Sequence, residues 1–439
     1  MKGLGSFASA YRSFFAVVAG LTVLQGAMAA NALVVALNLR RLGASNIEIG
    51  LVAAAFASGF LAGALGAPRE ILRIGHIRTF VMLAALAAIG ALALSISHAT
   101  VFWALVQAGL GLCCAGLLTA GESWIAQAAP ASGRGAVLGF YHLVSKTGAI
   151  ISPFLVSSVI AGDSRLMMLA AFFCAALLPI AATNSAPPTV VAARPLGPVT
   201  IFRIAPAAAV AALCAGAVNN SVAQLYPLYA ASIQPEAPAA MAAAFNAMLL
   251  IGAMTALWPI GFISDRIDRR LVMGALGSLA AGAALALAVF DPPYIVMGLA
   301  LVFGAGSLSY YAVAVAHAAD RVDPEHATGM MAGILVTWGL GSIAGPLVAG
   351  AVMSVGFGPS GLFVFAAFAL AGMAAFMLVR SAAREAPVEE TKEPFGAAPA
   401  TSLAIAELDP RGTDEQFELF DPPPEPRPGP PSDTQGTTP

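Results

Sequence analysis

The chain has 439 residues, 59% of them apolar and only 10% charged, and its mean hydropathy is +0.83. Soluble domains carry about a quarter charged residues, so an aqueous core cannot absorb this much apolar surface and lipid is the expected solvent. The formal net charge of −2 hides an asymmetry: residues 1–380 hold 17 Lys and Arg against 11 Asp and Glu, and the last 59 hold 4 against 12. A mildly basic body with an acidic tail argues against nucleic-acid binding.

A helix crossing the ~30 Å hydrocarbon layer needs roughly 20 apolar residues. Twelve such runs follow one another at 14–38, 48–68, 77–97, 101–127, 135–160, 165–183, 205–232, 239–262, 270–290, 294–319, 327–354 and 361–380. In lipid every backbone N–H and C=O must be satisfied internally, so these runs are helices. The first follows Lys2 and Arg12 and holds Ala27-Met28-Ala29, which imitates a signal peptide. It is longer than the ~7–15 residues of such a peptide's apolar core and is expected to be an uncleaved first span. Cys113, Cys114, Cys174 and Cys214 lie inside apolar runs without CxxC spacing and read as small apolar fillers, with no metal site.

With the N-terminus inside, fourteen Lys and Arg between Lys2 and Arg384 fall on the cytoplasmic side, and only Arg40, Arg41 and Arg165 fall outside. This follows the positive-inside rule and places both termini in the cytoplasm of a bacterial-type inner membrane. The polar stretch 184–203, with Pro187, Pro188, Pro195 and Pro198, separates two six-span bundles, 1–183 and 204–380. Residues 381–439 are acidic and Pro-rich and are expected to be disordered; Phe417, Leu419 and Phe420 form a small apolar cluster there. A shift of 193 residues lays Arg73 on Arg266, Gly75 on Asp268, Gly148 on Gly341 and Pro153 on Pro346, which supports duplication. Repeats of this kind place a solute site at the midplane between the halves.

Between spans 8 and 9, Gly261-Phe-Ile-Ser-Asp265-Arg266-Ile-Asp268-Arg269-Arg270 resembles the loop motif of the major facilitator superfamily: Gly, then Asp-Arg four residues on, then a basic pair. Gly341-Ser-Ile-Ala-Gly345-Pro346 in span 11, and a weaker copy, Gly148-Ala-Ile-Ile-Ser152-Pro153, in span 5, resemble that superfamily's Gly-rich Pro-containing interface motif. Glu122-Ser123-Trp124, Gly75-His76-Ile77-Arg78, Tyr310-Tyr311 and Ala316-His317-Ala318 resemble its YcaD-like branch. Two departures stand out. Leu72 occupies the position of the superfamily Asp in the first-half loop, and no Arg or Lys lies between Arg78 and Arg134, so the basic residue of span 4 found in drug–proton antiporters is missing.

The resemblance implies that spans 1, 4, 7 and 10 surround the solute. Lys146 is the only lysine inside a span, and burying it costs ~3 kcal/mol. His142, one turn earlier, shares its face. The pair reads as an anion or proton site or, alternatively, as a structural ion pair. Glu122 is the only carboxylate well inside a span; it reads as a proton site or as a helix-end carboxylate bound to Arg134. Asn220 and Gln224 share a face of span 7 with Tyr226 nearby and suit either hydrogen bonding to a solute or ties between helices. Gln25, Asn31, Gln107 and Tyr310 are candidate lining residues, and His317 stands near the inner mouth. Arg73, Asp265, Arg266, Asp268, Arg269, Arg270 and Asp320 are the expected cytoplasmic charge lock that breaks between access states. Gly148, Pro153, Gly341, Gly345 and Pro346 are expected to let the halves pack closely.

The leading reading is a secondary transporter of a small solute, working by alternating access and coupled to protons. There is no GxxxxGK[ST] for ATP, no cofactor is expected, and His76, His98, His142, His317 and His326 are too scattered for an intramembrane enzyme. A sensor with the transporter fold and no flux, or a uniporter, are the alternatives. Expected partners are the bilayer, the solute and protons, with one copy of the chain as the working unit. Lys146 favours an anionic or zwitterionic solute, and the Asn, Gln and aromatic residues equally permit a neutral polar one.

Overall fold

The computed structural model describes residues 2–128, 134–181, 197–322 and 324–383. Among them the chain is helical throughout, with no strand. The first half comprises α1 (Lys2–Arg41), α2 (Asn46–Ile74), α3 (His76–Ala93), α4 (Thr100–Ala128), α5 (Arg134–Ser157) and α6 (Asp163–Ala181). A short α7 (Pro198–Ile204) leads into α8 (Pro206–Ile233), α9 (Pro238–Ser264), α10 (Arg269–Val289), α11 (Pro293–Ser307), α12 (Tyr310–Ala319), α13 (Pro324–Val352) and α14 (Gly361–Ala383).

Ten continuous stretches are long and apolar enough to cross a membrane. One of them, Gly329–Ala383, is 55 residues long and holds two crossings, because the helix breaks at Val355 (φ −90°, ψ 37°) and Gly356 (φ 105°, ψ −11°). Only glycine takes such a positive φ without cost, so Gly356 is where the chain turns back. With α5 as a further crossing helix of 24 residues, the bundle has twelve crossings. The expected spans coincide with them to within a few residues, with three differences. Helix α1 begins at Lys2, because a helix continues past the end of its apolar run. The tenth span is interrupted between Ser307 and Tyr310, after the low-propensity Gly304 and Gly306. The end of the expected linker, from Pro198, is itself helical, with Ile201 buried. Residues 184–196, the side chains of Arg134 and His326, and the tail beyond 383 lie outside the described residues.

Duplication is written into backbone contacts. A Cβ on Gly59 of α2 would come 1.8 Å from the Ala108 carbonyl oxygen of α4, and one on Gly111 of α4 would come 2.0 Å from that of Phe56. In the second half, Gly252 of α9 meets the Leu301 oxygen of α11 at 2.0 Å and Gly304 meets that of Leu249 at 2.0 Å. Each first-half residue lies 193 positions before its counterpart, the shift found above. Without a water-driven hydrophobic effect between helices in lipid, close backbone approach is how such pairs gain packing energy.

The halves touch along α2–α13, α5–α9 and α1–α8. Gly50 of α2 lies against the Pro346 oxygen, and Gly350 against that of Asn46; in both, an added Cβ would clash, at 2.4 and 2.7 Å. Asn46 Nδ2 donates to the Met353 oxygen at 3.1 Å, and the Phe60 and Trp338 rings meet edge to face at 6.2 Å. These contacts run from the Asn46 end of α2 to its middle. At the opposite end of the bundle, no comparable packing joins α4 to α12 among the described residues.

This seam corrects one expectation. Gly148 faces the Thr22 oxygen of α1, while Gly341 and Gly345 face the Leu213 and Ala217 oxygens of α8, each at 2.1 Å and each inside its own half. These three glycines of α5 and α13 therefore build each half, while Gly350 of α13 lies on the seam. Of the expected interface residues, Pro346 reaches the other half through its carbonyl, and Pro153 is buried within α5.

Candidate functional site

Glu122 is a buried carboxylate, 1% exposed. It sits near the end of α4, and its Oε1 accepts a hydrogen bond from the fully buried Tyr141 hydroxyl of α5 at 2.9 Å. Gln25 of α1 and Ser145, one turn along α5, stand beside the same tyrosine. Lys146 follows on α5, half-buried, close enough to feel the charge of both Glu122 and His142. The His142 ring lies 4.7 Å from that of Tyr141. Glu122, His142 and Lys146 thus meet at one place, joined by Gln25, which was expected only as a lining residue. Tyr141 is the member that sequence reasoning missed, because a tyrosine in an apolar run reads as packing.

Just below, His76 Nε2 lies 3.0 Å from Ser123 Oγ, and its ring meets Trp124 edge to face at 6.2 Å. The chain reverses from α2 into α3 at Gly75 (φ 85°), which sets His76 against α4. Residues noticed separately as one sequence pattern are therefore a physical junction. The shift of 193 carries His76 onto Arg269 and Trp124 onto His317, so the same junction recurs in the second half with charge added.

Deeper in the first half, Asn31 of α1 and Gln107 of α4 exchange two amide hydrogen bonds, both 3.0 Å, and are each 1% exposed. This geometry is an interhelical tie. In the second half, Asn220 Nδ2 donates to the Ser342 oxygen of α13 at 2.9 Å, and Asn219 Nδ2 to the Ser307 oxygen of α11 at 3.0 Å. Gln224 is half-buried. The hydroxyls of Tyr226 and Tyr310 are buried without a well-formed hydrogen bond among the described residues, and Tyr310 lies beside Cys214. Tyr226 stacks on Phe245, centroids 6.0 Å apart. Asn246 of α9, overlooked in the sequence, donates across the seam to the Ala149 oxygen of α5 at 3.0 Å.

Where α9 turns into α10 in the second half, Arg269 is 1% exposed at its side chain and pairs with Asp320 of α12 at 2.9 Å and with Asp265 at 3.5 Å. Arg270 forks onto Asp268, with Nη2–Oδ2 at 2.7 Å, and donates to the Arg380 oxygen of α14 at 2.9 Å. His317 of α12 faces these charges. These bonds join the ends of α9, α10, α12 and α14, within one half. Arg266 stands apart, exposed, its guanidinium 3.4 Å from the Phe262 ring centroid, and Arg73 is exposed in the first half. These bonds lie inside the second half, and Arg73 and Arg266 take no part in them.

The sequence model of the Major Facilitator Superfamily matches residues 13–291 and again 237–412. The chain belongs to the major facilitator superfamily. It is similar to the MFS-type transporter YcaD of Salmonella typhimurium (strain LT2), 26% identical over 355 residues that cover 78% of this chain and 89% of the relative. YcaD of Salmonella heidelberg is 26% identical over 356 residues with the same coverage. Among solved structures, the nucleoside transporter NupG shares the fold with a TM-score of 0.68 at 15% identity, covering 84% of this chain and 98% of that one. A bacterial homologue of the human lysosomal transporter Spinster, in an inward-facing unoccupied conformation, gives 0.66 at 14% identity over 92% and 99%. The Escherichia coli fucose:proton symporter FucP gives 0.52 at 18% over 85% and 99%.

In this member of the superfamily, the loop motif ends in the N-cap of α10. Asp268 Oδ1 accepts from the Arg270 backbone N–H at 2.9 Å. Burial alone would raise the Asp268 carboxyl, but the Arg270 side chain and N–H outweigh it and hold it below its ordinary value. A depressed folded-state value means that the stabilisation is present above the unfolded value and is lost as pH falls through the folded one. The stability difference between wild type and Asp268→Asn should therefore be constant above about pH 5 and shrink only at more acidic pH. Thermal unfolding of the two proteins across pH checks this; a difference that vanishes near neutrality would refute it.

Proposed function

We propose that this chain is a secondary active transporter that carries a small solute across the bacterial inner membrane by alternating access, with a proton as the coupling ion. Its halves, 1–183 and 204–380, are the moving bodies, 184–203 links them, and both termini lie in the cytoplasm. In that orientation the Asn46–Met353 seam is on the outer side, so the structure has the arrangement of an inward-facing state. The observation that carries the coupling is Glu122: a buried carboxylate on a crossing helix, held by Tyr141 and within reach of Lys146. A carboxylate buried at a crossing helix is expensive as an ion, so it gains from taking a proton whenever its cation is drawn away. The proton symport named for FucP shows that this fold supports such coupling in another protein.

The test is purified protein in liposomes loaded with a pH dye, screened with amino acids, organic acids, sugars and nucleosides. We expect one class to move protons inward with wild type. Glu122→Gln should abolish that proton signal while exchange of labelled solute continues. Labelled solute crossing without any proton signal would remove the coupling, and a folded protein that moves nothing in the panel would remove transport.

A further inference from the structure

Helix α5 carries four polar side chains within six residues: Tyr141, His142, Ser145 and Lys146. At roughly 100° per residue they spread over an arc of roughly 140°. Tyr141, at one edge, is used by Glu122. Gly148, beyond that edge, packs on Thr22 of α1. Ala149 takes the hydrogen bond from Asn246 and marks where α9 of the other half approaches. On the same wheel, His142 and Ser145 lie within about 40° of Ala149, and Lys146 within about 60°. These three side chains therefore look towards the second half, where a carried solute must sit.

Part of their hydrogen-bonding capacity is left over, the Ser145 hydroxyl having only the Tyr141 hydroxyl beside it. Ser145 Oγ and His142 Nε2 are buried without a well-formed hydrogen bond among the described residues, and Ser145 is 1% exposed. Lys146 is half-buried, whereas the carboxylate that balances it is fully buried and capped by Tyr141. The face turned to the second half is thus cationic and donor-rich, with its counter-ion hidden behind.

We propose that this face of α5 binds the carboxylate of a small organic monoanion, through the Lys146 ammonium, the Ser145 hydroxyl and the His142 ring N–H. Glu122 balances Lys146 in the empty protein and takes the co-transported proton when the solute anion replaces it. This rests on the proton-coupled reading above. The empty site then holds one anion and one cation. The loaded site holds a neutral Glu122, the Lys146 cation and the solute anion. Both carry no net charge, so one proton moves per anion without net charge transfer. The titratable groups around Glu122 are Tyr141 and Lys146 on α5, His142 facing Lys146, and His76 on α3, tied to Ser123. From α1 comes the neutral Gln25, and Arg69, Glu70 and Arg73 of α2 are exposed at that helix's end.

The test follows thermal unfolding of the full chain in detergent with acetate, lactate and benzoate, each beside its own amide. We expect a carboxylate to stabilise the wild type where its amide does not, and more strongly at acidic than at alkaline pH. Lys146→Met should weaken that binding roughly tenfold or more, the worth of a charge-assisted hydrogen bond. Lys146→Arg should restore most of it, and Glu122→Gln should flatten its pH dependence. If Lys146→Met does not fold, the Glu122→Gln/Lys146→Met pair, which buries no charge, carries the same expectation of lost carboxylate binding. Equal stabilisation by acids and amides, no stabilisation by any of the acids, or wild-type carboxylate binding without Lys146 overturns the proposal. Proton-coupled uptake of a neutral solute in liposomes would sink the anion site and leave coupled transport standing; carboxylate binding without flux would do the reverse.

Discussion

Replacing Gly50 by leucine should reduce solute flux roughly tenfold or more while leaving the protein folded. A Cβ at this position would stand 2.4 Å from the Pro346 oxygen and 3.4 Å from the Gly350 Cα, both on α13 of the other half. Overpacking of this kind costs about 1–3 kcal/mol, and 1.4 kcal/mol is a factor of ten in a population. Because the clash lies between the halves, parting them relieves it without disturbing either bundle. The cost therefore falls on one access state. The measurement is uptake, together with labelling of a cysteine placed at Asn46 by a membrane-impermeant maleimide, after Cys113, Cys114, Cys174 and Cys214 have been replaced. Labelling from the outside should rise as flux falls. Unchanged labelling with wild-type flux would mean that the Gly50 contact does not hold the outer side shut. Gly59→Leu is the contrasting variant: its clash with Ala108 is inside the first half and no rearrangement of the halves removes it, so that protein should fail to fold.

The difference between those two glycines was not legible in the sequence. Both sit in an apolar run at small-residue spacing, and only the structure shows which neighbour each faces. What was legible followed from strong, local physics. Twelve apolar runs of membrane length became twelve crossings, because a polar backbone in lipid has no other solution. The shift of 193 was legible in matched pairs such as Gly148 and Gly341, and duplication also preserved places where backbone must touch backbone, as at Gly59 and Gly252. Lys146, His142 and Glu122 were legible because charge is scarce in a span and helical spacing puts the first two together. The rest depended on how helices meet. Asn31 and Gln107 lie 76 positions apart, and nothing local in either run says that each amide satisfies the other. Tyr141 and Asn246 act through partners on other helices. The loop motif was found by its pattern, but the pattern does not say that Arg269 would turn inward to Asp320 while Arg266 lies on Phe262.

That inward turn makes Arg269 the position where a single substitution should cost most in stability. Its side chain is 1% exposed, Asp320 is 5% exposed, and their 2.9 Å pair joins the start of α10 to the end of α12. Two buried charges are costly to desolvate, and their attraction only offsets that cost, so the pair itself adds little. Removing one member is different. Arg269→Ala removes the cation 2.9 Å from the Asp320 carboxylate in a largely buried site, and breaking a buried pair usually costs about 3–5 kcal/mol. For a unit the size of one half, that corresponds to a fall in melting temperature on the order of 10 °C. Asp265, 35% exposed, has water to turn to and adds less. Arg269→Met combined with Asp320→Leu removes both charges and fills similar volume, so it should recover most of the loss. Thermal unfolding of both variants beside the wild type in one detergent decides between a brace and a gate. If Arg269→Ala melts like the wild type but slows transport, these residues serve the access cycle. If it melts early and the double variant restores both stability and flux, they hold the α10–α12 end of the second half together, in line with their bonds within that half.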